Sequence, residues 1–89
     1  MDDKLFETKD KHITPFLLTQ NSVKFEGTRI SDLIVYFRFS PINKCQELVN
    51  RFVSKTADPV QPKDLLDAVE TYRDRIFEMK DKNYVIRHR

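Results

Sequence analysis

The chain has 89 residues, formal net charge +2, 39% hydrophobic and 34% charged residues, and a single cysteine and a single glycine. That length makes one domain, too apolar for a disordered chain. Its longest apolar run, Leu33–Phe37, is far short of the ~20 residues a membrane-crossing helix needs. One cysteine rules out an internal disulfide, and one glycine rules out the Gly-rich loops that cradle phosphates. The opening Met1-Asp2-Asp3-Lys4 lacks an apolar segment. This predicts no secretory leader and a cytoplasmic setting.

Leu5-Phe6-Glu7-Thr8 reads as a short edge strand. Ile13, Phe16 and Leu17 then share one face of a helix. Pro15 restricts where that helix starts, because proline is tolerated only in the first turn. Thr14 as N-cap with Pro15 at the first helical position is one reading, and Asp10 as N-cap of a longer helix is the other. Ser22–Glu26 alternates, with Val23 and Phe25 on one face. Residues 27–32 read as a hairpin loop and Leu33–Phe39 as the return strand. That strand, the richest β-branched and aromatic run in the chain, is expected at the centre of the sheet. Leu33, Val35, Phe37 and Phe39 should face the core, and Ile34, Tyr36 and Arg38 the other side.

Ser40-Pro41 predicts a helix start, with the serine hydroxyl as cap. Ile42, Cys45, Leu48, Val49, Phe52 and Val53 form its apolar stripe, and it should end near Ser54. Pro62 opens a last helix whose stripe is Leu65, Leu66, Val69, Tyr72, Ile76 and Met79. Asp64 and Asp67 sit near its positive end and Lys80 and Lys82 near its negative end. Residues 81–89 read as a basic tail outside a core of residues 5–80, with Asn83–Arg89 either frayed or adding a short strand. The expected fold is α+β: one small domain of order β-α-β-β-α-α, with a mainly antiparallel three-stranded sheet and helices on one face.

The stretch Phe6-Glu7-Thr8-Lys9-Asp10, followed by Phe16-Leu17-Leu18, Tyr36-Phe37-Arg38-Phe39 and Leu48 with Phe52, resembles an uncharacterised family of short prokaryotic and phage proteins. Its pattern is an aromatic-x-Thr-Lys-Asp start, a helix, an aromatic-rich hairpin strand and a helix. Pro15 and Gln20-Asn21-Ser22 depart from it, where a small residue and a glycine are expected. The resemblance implies a prokaryotic or viral source but no catalytic residue and no ligand.

No constellation points to catalysis, a metal or a cofactor. Cys45 lies on an apolar stripe, where a free cysteine behaves as a small hydrophobe. His12 and His88 stand at opposite ends without the companions a zinc site needs. The acids Asp64, Asp67, Glu70, Asp74, Glu78 and Asp81, interleaved with bases, read as a solvated helix face. What remains is surface recognition. Ile34, Tyr36 and Arg38, left over on the second sheet face, are the candidate site for a protein partner or for self-association. The alternative is a nucleic-acid surface made from Arg29, Arg38, Lys44 and Arg51 with the terminal Arg87 and Arg89, since residues 29–55 hold five bases against two acids.

Overall fold

The computed structural model describes the backbone of residues 4–87 and the side chains of residues 4–81. Its elements run β1 (Phe6–Thr8), α1 (Ile13–Leu18), β2 (Lys24–Ser31), β3 (Ile34–Ser40), α2 (Ile42–Val53) and α3 (Pro62–Arg87). The order is β-α-β-β-α-α, and the fold is α+β. The sheet is fully antiparallel in the order β1-β3-β2, so the aromatic-rich strand is the central one.

The centre of the sheet follows from composition. Alternate residues of β3 point to opposite faces, and Val35, Phe37 and Phe39 are all buried. Phe16 and Leu17 of α1, Cys45 and Leu48 of α2, and Tyr72, Ile76 and Met79 of α3 pack with them. Phe37 meets Tyr72 at 5.2 Å between ring centroids, and Phe16 stacks on Phe52 at 4.7 Å. Phe25 lies within 5.8 Å of both Phe37 and Phe39 and is capped by the Arg75 guanidinium. Each fully buried aromatic contributes roughly 1.5–3 kcal/mol by leaving water.

The first helix has His12, neither Thr14 nor Asp10, at its cap position and is short, but the Asp10 side chain serves its entry. The Asp10 carboxylate accepts the backbone N–H groups of His12 (2.7 Å) and Ile13 (2.8 Å). The Ile13 N–H first, then that of His12, hold this carboxyl below its ordinary pKa. Pro15 falls in the first turn, where no intrahelical N–H is required. Thr14 is wholly buried rather than a cap, and its hydroxyl donates to Thr8 Oγ1.

Several expectations are corrected. The hairpin loop is two residues, Asp32-Leu33, not six. Both have positive φ (51° and 67°), as a type I′ turn requires. The ladder continues through Thr28↔Phe37 and Ile30↔Val35, and the extra length is absorbed by a bulge between Phe25 and Gly27. Gly27 therefore lies within β2, at φ +112°, rather than opening a loop. Leu33 leaves the core stripe: at the turn it is 45% exposed.

Ser40 is the last residue of β3, and its hydroxyl donates to Glu26 instead of capping α2. Extended Pro41 occupies the cap position, after a cis peptide bond. Val53 points to solvent. On α3, Leu65 and Leu66 are exposed and the buried position is Ala68. The backbone of residues 83–87 continues α3 rather than forming a strand. Lys80 is therefore more than a turn from the helix end. Among the described residues, no helix is long and apolar enough to cross a membrane.

Candidate functional site

With α1, α2 and α3 gathered on the Val35/Phe37/Phe39 side, the other face of the sheet carries the even residues of β3. Strand register fills in the rest. Glu7 on β1 stands opposite Arg38, Arg29 on β2 opposite Tyr36, and Ser31 opposite Ile34. Ile34 is exposed at 38%, while Tyr36 and Arg38 are half-buried by their neighbours on the same face.

Those neighbours form a connected cluster. Arg29 donates from Nε and Nη2 to the two oxygens of Glu7, at 2.6 and 2.8 Å, a bidentate ion pair across the whole sheet. The same guanidinium lies over the Tyr36 ring, 4.5 Å from its centroid. Arg38 Nε is 3.1 Å from Glu7 Oε2, but it is not aligned for a hydrogen bond. This buried nitrogen has no hydrogen-bond acceptor among the described residues. One carboxylate thus serves two guanidiniums. The Arg29 hydrogen bond lowers the Glu7 pKa; burial opposes it, and the charges of Arg29 and Arg38 add to the lowering.

Gly27, beside Arg38 on this face, leaves open space where a side chain would stand. At the same end of the sheet, Lys4, Leu5, Glu26, Ser40 and Pro41 line a shallow groove with the first residues of α2.

The basic residues do not form one surface. Arg29 and Arg38 meet on the outer sheet face around Glu7. Lys44 and Arg51 lie on α2, in the layer behind the sheet, and both pair with Glu47, at 3.4 and 3.0 Å. The side chain of Arg87 and all of Arg89 lie outside the described residues, as do His88 and the side chain of Lys82. Sequence reading missed the part played by Glu7. The available signal was alternation on β1, where Phe6 and Thr8 face inward and Glu7 must face out.

Other candidates fall into structural roles. Cys45 is fully buried, and that burial pushes its thiol pKa up, away from a reactive thiolate. Tyr72 donates its hydroxyl to the Lys9 carbonyl at 3.0 Å, tying α3 to the segment before α1. The acids Asp64, Asp67, Glu70, Asp74, Glu78 and Asp81 are all exposed. Among the described residues, no group of three or more His, Cys, Asp or Glu is placed to hold a metal. Comparisons with protein-family models, curated proteins and solved structures find no match.

Proposed function

We propose that this chain is a non-enzymatic interaction module and that the outer face of its sheet docks a protein partner. The observation that carries this reading is the cluster at Ile34, Tyr36 and Arg38. It combines an exposed aliphatic side chain, an aromatic ring fixed by a stacked guanidinium, and a half-buried arginine that shares the Glu7 carboxylate with Arg29. Glu7 is shared by two guanidiniums, while the other carboxylate of this face, Glu26, is taken up by Ser40. The fitting partner presents an apolar side chain to Ile34 and Tyr36 and a carboxylate to Arg38. Aromatic and arginine anchors at the centre of a patch are the residues that most often dominate binding energy.

The test is capture of partners from the native host on immobilised wild-type chain, compared with Tyr36→Ala and Arg38→Glu. The expected result is an acidic partner retained by wild type and lost by both variants. Retention of every partner by both variants would overturn the assignment of this face.

The alternative, nucleic-acid binding through the same arginines, rests on the Arg29–Tyr36 stack. It predicts a gel shift of labelled single-stranded RNA or DNA that weakens steeply with salt, because phosphate contacts release counterions.

A further inference from the structure

Helix α3 carries a second stripe, apolar at its two ends and charged between them, separate from the one that packs on the sheet. Ala68, Tyr72 and Ile76 face inward. Leu66 is 66% exposed and Phe77 is 75% exposed. These two are eleven residues apart, which is three helical turns. They point in the same direction to within ~20° and lie ~17 Å apart along the axis. Between them, on the same side of the helix, stand exposed Glu70 and Arg73. Neither is in an ion pair among the described residues.

We propose that this stripe is a self-association surface, on which α3 packs antiparallel against α3 of a second copy of the chain. Register decides the orientation. In an antiparallel pair, the numbers of facing residues sum to a constant. Setting Leu66 against Phe77 of the second copy fixes that constant. The same setting then places Glu70 opposite Arg73 of the second copy, and Arg73 opposite its Glu70. One register therefore yields two apolar contacts and two ion pairs related by a two-fold axis, the isologous arrangement of a closed dimer. A parallel pair would also bring like apolar residues together, but it would set Glu70 on Glu70 and Arg73 on Arg73, which repel.

At the ends, the antiparallel register puts Lys63 opposite Lys80 of the second copy. Asp67, 3.3 Å from Lys63, offsets part of that charge. A single helix-on-helix seam is small for a specific interface, so the dimer constant is expected in the micromolar range or weaker. The stripe lies on α3 and leaves the outer sheet face free, so a dimer would display two copies of that face.

Sedimentation equilibrium of the full chain, up to millimolar concentration, tests this. The expected result is a reversible monomer–dimer equilibrium that Phe77→Asp weakens by roughly tenfold or more. Because Phe77 is exposed, the variant should keep wild-type circular dichroism and melting temperature. Glu70→Arg and Arg73→Glu should each weaken the dimer, and the double variant should restore it. Tyr36→Ala should leave it unchanged, which separates this surface from the sheet face. A chain that stays monomeric at millimolar concentration overturns the proposal, as does a dimer indifferent to Phe77→Asp. A dimer that the double charge reversal fails to restore overturns the antiparallel register.

Discussion

On one face of β3, Val35, Phe37 and Phe39 are buried beneath three helices. On the other, Ile34, Tyr36 and Arg38 support a cluster of ion pairs and a stacked guanidinium that reaches solvent. The two sets alternate along seven residues of one strand, so local conformation and β-propensity are nearly the same for both. What separates them is what lies opposite. Apolar helix stripes meet the inner set, whereas Glu7 and Arg29 of the flanking strands meet the outer set. Stability is therefore concentrated on one face, and the other is free to vary its chemistry at little cost to folding. That asymmetry makes the outer face a workable recognition surface.

Breaking the inner face should have the largest effect. Phe37→Ala removes a wholly buried ring and should cost about 3–5 kcal/mol in urea unfolding. That is a large fraction of the stability of a domain this small. A loss below about 1 kcal/mol would mean that the helices do not depend on this face.

Gly27→Ala tests the bulge that aligns the outer face. Nothing lies within 4 Å of the added methyl, but φ of +112° strains any side chain. A loss of about 1–3 kcal/mol is expected from backbone strain alone.

Ile34→Ala and Tyr36→Ala should each cost less than about 1 kcal/mol while abolishing partner capture. A Tyr36→Ala loss as large as that of Phe37→Ala would erase the distinction between the two faces.

Glu7→Gln should also cost less than about 1 kcal/mol at neutral pH, since its ion pairs are partly exposed. Its signature is in the pH dependence. The folded-state pKa of Glu7 is lowered, so its contribution is complete above the unfolded carboxylate value. It is lost as pH falls from that value through the lower folded one. From neutral pH down to the unfolded carboxylate value the gap in melting temperature between wild type and Glu7→Gln should hold, and below that value wild type should converge on Glu7→Gln as acid is added.

The smallest effect is expected at the hairpin tip. Leu33→Gly should leave stability within about 1 kcal/mol of wild type or raise it, because the turn conformation itself disfavours leucine. A core leucine would lose several times that.

The element types and their order were readable in the sequence because periodicity and punctuation agree. Ser22–Glu26 and Leu33–Phe39 alternate, while α2 and the inner stripe of α3 repeat at helical spacing. The inward set of β3 was legible for the same reason, apart from Leu33. That residue looked like a continuation of the strand. The sequence contains no Asn-Gly or Asp-Gly to mark the two-residue turn, and the lone glycine served a bulge instead. Ile34, Tyr36 and Arg38 were identified as outward-facing from alternation alone. Their chemistry was not legible, because Glu7 and Arg29 come from strands 22 residues apart in the chain and meet only through sheet register.

By itself, the sequence determined the type and order of the elements, which strand is central, and that Ile34, Tyr36 and Arg38 share the face of it opposite Val35, Phe37 and Phe39. Those properties depend on neighbours within a few residues. Only the tertiary structure decided that all three helices share the inner face, that two arginines converge on one carboxylate, and that Leu66 and Phe77 are left uncovered on α3. Those outcomes depend on pairing register and on how the elements pack, and a long helix can bury only one side against a single layer, so apolar residues on its other side stay exposed.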